Sequence, residues 1–333
     1  MALEQYPYTL AVEGDARPCQ TDPGTWLKES PSGAYTTART VDQNMVLELD
    51  FHITRLATSA RLMLAEQLGV APEAVPAAVN AGAEDAPAPD DRLSQFQCLT
   101  DEAELGPRVR KSLRAAVKSF LSTREFYGGE LKLTVLVTWD LAAGPNSVRV
   151  QSHVAPMGSR PAPPVKIEVM GAPRQNALAK DSEWVKQRTS LEAAKAKDTQ
   201  EVVLAHPDGN GDLELLEGLS SNFFAVMDGK VVTADEGILP GTVRAVLLEA
   251  CKRENIPVEL RPPLLSEAPR WEGALIASTS RFALPVHEVV VPASTRGDAG
   301  GEAQRWTFEP VGTLAGRLDA LVLQLVREMS QTL

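Results

Sequence analysis

Glu217 stands at the entrance to an apolar run, and Ser220, Ser221 and Asn222 crowd the same turn. Further along, Gly241-Thr242-Val243 follows Leu239-Pro240 and opens a helix-like stretch. N–H groups at a helix start have no partner inside the helix and can receive an anion. Between the two lie Phe223–Met227 and Lys230–Thr233, joined by Asp228-Gly229, the strongest short-range hairpin signal in the chain. A carboxylate and an anion cradle joined by a hairpin suit a cationic ring that carries a phosphate.

Other chemistries find less support. Cys19, Cys98 and Cys251 are far apart and form no CxxC pair, which points to a reducing compartment and against a thiolate metal site. His52, His153, His206 and His287 are scattered singly, so no metal is expected. Ser220 and Ser221 have no histidine at a telling spacing, which argues against a serine triad. A net charge of −11 and a pI near 5.0 disfavour nucleic acid and anionic membranes as main partners. The N-terminal residues lack the basic and apolar regions of a secretory signal, and no apolar run approaches a membrane span. A cytoplasmic protein is expected, with an organelle still open.

The elements that must position these residues follow from the pattern. With 333 residues, 44% of them hydrophobic, the chain suits two domains. Residues 1–34 carry Pro7, Pro18, Pro23, Gly24, Pro31 and Gly33 and read as strand fragments and turns rather than helix. Ala34–Thr40 and Val46–Leu49 read as a strand pair. Asp50–Leu68 reads as a helix, with Asp50 as N-cap and Gly69 as its stop. Val70–Asp91 is an Ala- and Pro-rich loop, and Gly106–Thr123 a second helix. Leu131–Trp139 and Val148–Val154 are strands about a turn at Ala143–Asn146. Pro156–Pro164 holds four prolines in nine residues and reads as a spacer. The expected division is therefore 1–155, a linker over 156–164, and 165–333. In the second part, Val165–Met170, Glu201–Ala205, Gly273–Ala277 and Glu288–Val291 read as strands, and Thr242–Glu254 and Leu314–Met329 as amphipathic helices. Frequent hairpins and no repeat favour an α+β fold over a simple doubly wound sheet.

Four blocks carry a resemblance. They are Asp50-Phe51-His52-Ile53-Thr54-Arg55-Leu56, Glu217–Phe224, Leu239-Pro240-Gly241-Thr242-Val243-Arg244, and Ile276-Ala277-Ser278-Thr279-Ser280. In order and spacing they resemble the class IV, or fold type IV, pyridoxal-phosphate enzymes. That family holds branched-chain aminotransferases, D-amino-acid aminotransferases and aminodeoxychorismate lyases. The likeness covers roughly residues 33–290. Trp184-Val185-Lys186-Gln187-Arg188 looks like a plant and algal branch. The resemblance implies a smaller N-terminal α/β domain, a larger β-rich C-terminal domain that binds the cofactor, and a homodimer.

It also implies roles. Glu217 would partner the ring nitrogen. Arg55, Asn222, Gly241, Thr242, Val243, Ser278 and Thr279 would hold the cofactor and its phosphate, and Tyr35 and Arg39 would face substrate. The family's lysine, which forms the Schiff base, lies a little over thirty residues before the glutamate. Lys186 stands 31 before Glu217, Lys180 stands 37 and Lys195 stands 22, so spacing favours Lys186. Thr189 and Leu191 stand where the family usually has asparagine and tyrosine. The implied activity is exchange of an amino group between an amino acid and a 2-oxo acid. An aminodeoxychorismate-type lyase and a non-catalytic cofactor-binding member are the alternatives.

Overall fold

The computed structural model describes residues 7–71, 94–124, 127–297 and 300–333. All but the first two residues of the Ala- and Pro-rich stretch at 70–91 lie outside them. The chain divides into two compact units. Unit 1 draws on residues 1–158, 179–186 and 330–333, and unit 2 on 159–178 and 187–329.

Unit 1 is built on a seven-stranded antiparallel sheet. Its strands are β1 (Tyr8–Val12), β2 (Asp15–Cys19), β3 (Ala34–Val41), β4 (Met45–Leu47), β5 (Leu131–Thr138), β6 (Arg149–Pro156) and β17 (Ser330–Thr332), in the order β17-β4-β3-β5-β6-β1-β2. Helix α1 (Pro23–Glu29) was not expected from its prolines and glycine. Pro23 sits at its start, where a missing N–H costs nothing, and Asp22 accepts from the N–H groups of Gly24 and Thr25.

Helix α2 (Leu49–Leu68) ends at Gly69 in the left-handed conformation, as its glycine foretells. Its start differs from expectation. Glu48 takes φ of 51° straight after β4, so the helix begins at Leu49 and Asp50 falls in the first turn. There Asp50 pairs with Arg110. Helix α3 (Glu102–Ser122) starts four residues before the expected point, because Asp101 caps it at Ala103 N. Both helices bury an apolar face on the sheet, where Leu56, Leu64, Leu113 and Phe120 are fully enclosed.

The segment 179–186 is stapled to β3. Tyr35 N donates to Lys180 O at 2.9 Å, Ser182 N to Gly33 O at 3.0 Å, and Gly33 N to Ser182 Oγ at 3.1 Å. Gly33 has no room for a side chain, since a Cβ would lie 2.2 Å from Val137 O.

Unit 2 carries a mixed ten-stranded sheet. Its strands are β7 (Lys166–Val169), β8 (Glu201–Pro207), β9 (Leu213–Gly218), β10 (Asn222–Met227), β11 (Lys230–Thr233), β12 (Val258–Leu260), β13 (Trp271–Ser278), β14 (Phe282–Val286), β15 (Glu288–Val291) and β16 (Gln304–Thr307). The path runs β12-β11-β10-β9-β8-β7-β15-β16, and β13 joins β10 to β14. The Asp228-Gly229 hairpin forms as its sequence dictates, with both residues at positive φ. Two longer helices, α4 (Thr242–Arg253) and α5 (Leu314–Glu328), pack on each other and against β13 and β14. No helix among the described residues is long and apolar enough to cross a membrane.

Candidate functional site

In unit 2 the sheet register does the assembling. Glu217, next to the end of β9, lies opposite Asn222 at the start of β10, and Asn222 lies opposite Ala277 near the end of β13. Glu217, Asn222 and Ala277 thus occupy one row across three neighbouring strands, and Ser278 follows Ala277 at the end of β13. Glu217 and Asn222 also grip the loop that leads to α4. Leu239 N donates to Glu217 Oε2 at 3.0 Å, and Asn222 Nδ2 donates to Leu239 O at 2.8 Å. The two side chains therefore fix the Leu239-Pro240-Gly241 turn from both sides.

Gly241 is the N-cap of α4 and gives it no side-chain cap. A Cβ there would fall 2.0 Å from Asn222 Oδ1, so only glycine lets Asn222 reach the turn. Thr242 and Val243 are buried in the first turn of this helix. Ser278 and Ser280 flank Thr279 in the β13–β14 turn, with their hydroxyls 3.4 Å apart.

Sequence reasoning missed Arg174. Its Nε lies 2.8 Å from Glu217 Oε1, and both side chains are only 6% exposed. Arg174 also donates to Ala177 O. The segment around it has no period that marks it, and only its position shortly before Lys180 hints at a role. Arg244, at the end of the third block, is buried and ties the loop down through Ala234 O and Asp235.

In unit 1, α2 and β3 bring together Arg55, His52 and Thr36, all buried. Arg55 Nη2 donates to Thr36 Oγ1 at 2.7 Å. The Thr36 hydroxyl is then left to donate to His52 Nδ1, also at 2.7 Å, which requires a neutral ring accepting at that nitrogen. Burial, and then the charges of Arg55 and Lys180, hold His52 well below its ordinary value of 6.5. Stability linked to His52 is thus full above that value and drains as pH falls beneath it, because the unfolded ring takes up a proton that the folded ring refuses. Burial lowers His153 in the same direction. Thermal unfolding of the parent should lose stability from pH 8 to pH 5, and His52→Gln should remove part of that loss.

Lys180 belongs to this group. Its backbone N donates to Ser59 Oγ at 2.9 Å, and Ser59 in turn donates to Arg55 O at 2.6 Å. Its Nζ lies 4.7 Å from the Tyr35 ring centre. Tyr35 is itself buried, whereas Arg39 lies further along β3 in register with Lys132. Lys186, favoured by spacing, makes a different contact. It is exposed and pairs with Glu183 at 2.9 Å on one short helical turn. Arg188, its near neighbour in sequence, pairs with Glu192.

The family and structure comparisons point the same way. A family profile described as Amino-transferase class IV matches residues 33–289. A comparison with functionally curated proteins returns no match. Among solved structures, a branched-chain aminotransferase from Thermoproteus uzoniensis with norvaline is 16% identical, with a TM-score of 0.64 over 96% of this chain and 95% of that one. A hypothetical aminotransferase from Mycobacterium tuberculosis in PLP-bound form is 17% identical, with a TM-score of 0.63 over 96% and 99%. A fold IV transaminase from Curtobacterium pusillum is 21% identical, with a TM-score of 0.61 over 95% and 99%. At these identities the likeness establishes the fold.

Proposed function

Because the chain belongs to the class IV aminotransferase family, we propose that it is a pyridoxal-phosphate-dependent enzyme that moves an amino group between an amino acid and a 2-oxo acid. The observation that carries this reading is the buried Glu217 carboxylate, which shares a row with Asn222 and Ala277 next to Ser278, beside a helix start that has no side-chain cap. These residues fit the cofactor. A buried carboxylate favours the protonated form of a pyridine nitrogen, and a helix start with adjacent hydroxyls suits a phosphate. When bound, pyridoxal phosphate supplies an electron sink for the bonds at the substrate's α-carbon.

The protein's own residues have separable tasks. Glu217 holds a proton at the ring nitrogen. Asn222 fixes the Leu239–Gly241 turn, which aims the N–H groups of Thr242 and Val243, and Ser278 and Thr279 add hydroxyl donors. Arg55, oriented by Thr36, supplies the cation for the phosphate. For the lysine that carries the cofactor and moves the substrate proton, the surroundings favour Lys180 over Lys186. Lys180 shares its hydrogen-bonded frame with Arg55, whereas Lys186 has only a surface pair. Tyr35 and Arg39 serve as substrate-facing residues in this reading, Tyr35 through its ring beside Lys180.

The run Trp184–Arg188 supports the plant and algal branch, the family resemblance supports a homodimer, and the scattered cysteines support a reducing compartment such as the cytoplasm. The test is direct. Purified protein given pyridoxal phosphate should exchange amino groups between an amino acid and a 2-oxo acid. Borohydride should fix the cofactor on the peptide that contains Lys180. Release of pyruvate from aminodeoxychorismate with no need of an oxo acid would overturn the transfer reading, and absence of any labelled lysine would overturn the enzyme reading.

A further inference from the structure

Glu201 opens β8 and is buried. Its Oε2 accepts from Ser220 Oγ at 2.8 Å, from Ser221 Oγ at 3.0 Å, and from Arg281. Its Oε1 accepts from Val202 N at 3.1 Å, and Arg281 donates also to Gln200 O at 3.2 Å. Ser220 and Ser221 form the turn after Glu217, and Arg281 closes the turn after Ser278. One carboxylate therefore joins two turns that are distant in the sequence. Gly218 leaves it the space to do so, since a Cβ there would lie 2.9 Å from Glu201 Cγ.

Two further features bear on what the junction does. Burial alone would push the Glu201 carboxyl up, but the charge of Arg281 and the hydrogen bonds from Arg281, Ser220 and Ser221 outweigh it and hold the group below its ordinary value. The second turn is also strained, because Phe282 takes φ of 57°, a region that a bulky side chain avoids. Such a conformation persists only where its surroundings over-determine it. A buried ion pair is a weak source of net stability compared with apolar packing. Its directional hydrogen bonds, however, fix geometry.

We propose that Glu201 and Arg281 are positioning residues that lock the turn bearing Glu217 and Asn222 to the turn bearing Ser278 and Thr279, so that the ring partner and the hydroxyl donors are held in mutual register. This rests on the reading of those two turns as cofactor holders. The pair acts through its neighbours and touches no reacting atom.

Amide hydrogen exchange on the apoprotein, paired with titration by pyridoxal phosphate, tests the proposal. In the first turn, Gly218 N bonds Ser221 O and Leu219 N bonds Val202 O; in the second, Arg281 N bonds Ser278 O. Glu201→Gln and Arg281→Gln, each alone, should speed exchange at both turns by about 10- to 100-fold. The double variant should go little further, because either change opens the same junction. Amides of the Asp228-Gly229 hairpin should keep their protection, which general destabilisation would not allow. Pyridoxal phosphate should bind each variant more weakly by a comparable factor. Loosening of one turn only, loosening of the hairpin as well, or unchanged cofactor affinity would overturn the proposal. If the parent chain takes no pyridoxal phosphate, the functional reading falls, and the exchange data alone decide whether the two turns are locked. Should Glu201→Gln fail to fold, Arg281→Gln, which alters a less buried side chain, carries the test.

Discussion

Lys180→Ala should abolish amino-group exchange, and Lys186→Ala should leave it intact. The first change removes the group that would carry the cofactor and move the α-proton, and loss of such proton transfer alone costs about 10²- to 10⁴-fold. The second change removes an exposed ammonium paired with Glu183, a type of pair worth about 1 kcal/mol at most. Turnover with an amino acid and a 2-oxo acid, measured on both variants, separates the two lysines. A dead Lys186→Ala with an active Lys180→Ala would restore the assignment by spacing. Lys180→Arg refines the result. Arginine keeps a cation beside the Tyr35 ring but does not deprotonate to bond the cofactor. It should therefore be as inactive as alanine if attachment is the task, and partly active if charge alone is needed.

The lysine also shows where the sequence was legible and where it was not. The Asp228-Gly229 hairpin, the helix before Gly69 and the apolar strands could be read directly, because each rests on local backbone chemistry. From the hairpin and the strand limits, the row Glu217, Asn222, Ala277, with Ser278 next along β13, follows almost at once. Counting residues from Lys186 to Glu217 takes no account of the contacts that hold a lysine in space. Lys180 is located by Tyr35 N, Ser59 and the Ala34–Asp181 bridge, all contacts between segments far apart in sequence. Arg174, Glu201 and Arg281 were illegible for the same reason. Each is an isolated charge in a turn or at a strand end, and its partner comes from another element. The misplaced start of α2 has a different origin. Asp50 is a good capping residue type, but Glu48 already turns the chain, so the helix begins before a cap at Asp50 could act.

Arg174→Met should destabilise the apoprotein by about 3–5 kcal/mol, because it leaves Glu217 as a buried carboxylate without its ion partner. Leu239 N still donates to that carboxylate, but a neutral backbone donor does not replace a guanidinium at 2.8 Å. Pyridoxal phosphate should recover part of the loss, since a protonated ring nitrogen beside Glu217 offers the missing positive charge. The rise in melting temperature on adding the cofactor should therefore be larger for Arg174→Met than for the parent, by linkage of binding to folding. Glu217→Gln should behave in the opposite way. It strands Arg174 instead, and a cationic ring brings no relief to a buried guanidinium, so the cofactor should stabilise this variant less than the parent. Denaturant unfolding of both variants, with and without pyridoxal phosphate, measures the four differences. An equal stability loss in Arg174→Met with and without cofactor would mean that the ring does not meet Glu217. Opposite shifts in the two variants would identify Glu217 as the group that Arg174 and the ring nitrogen share, with Arg174 limiting how much of its charge the ring receives.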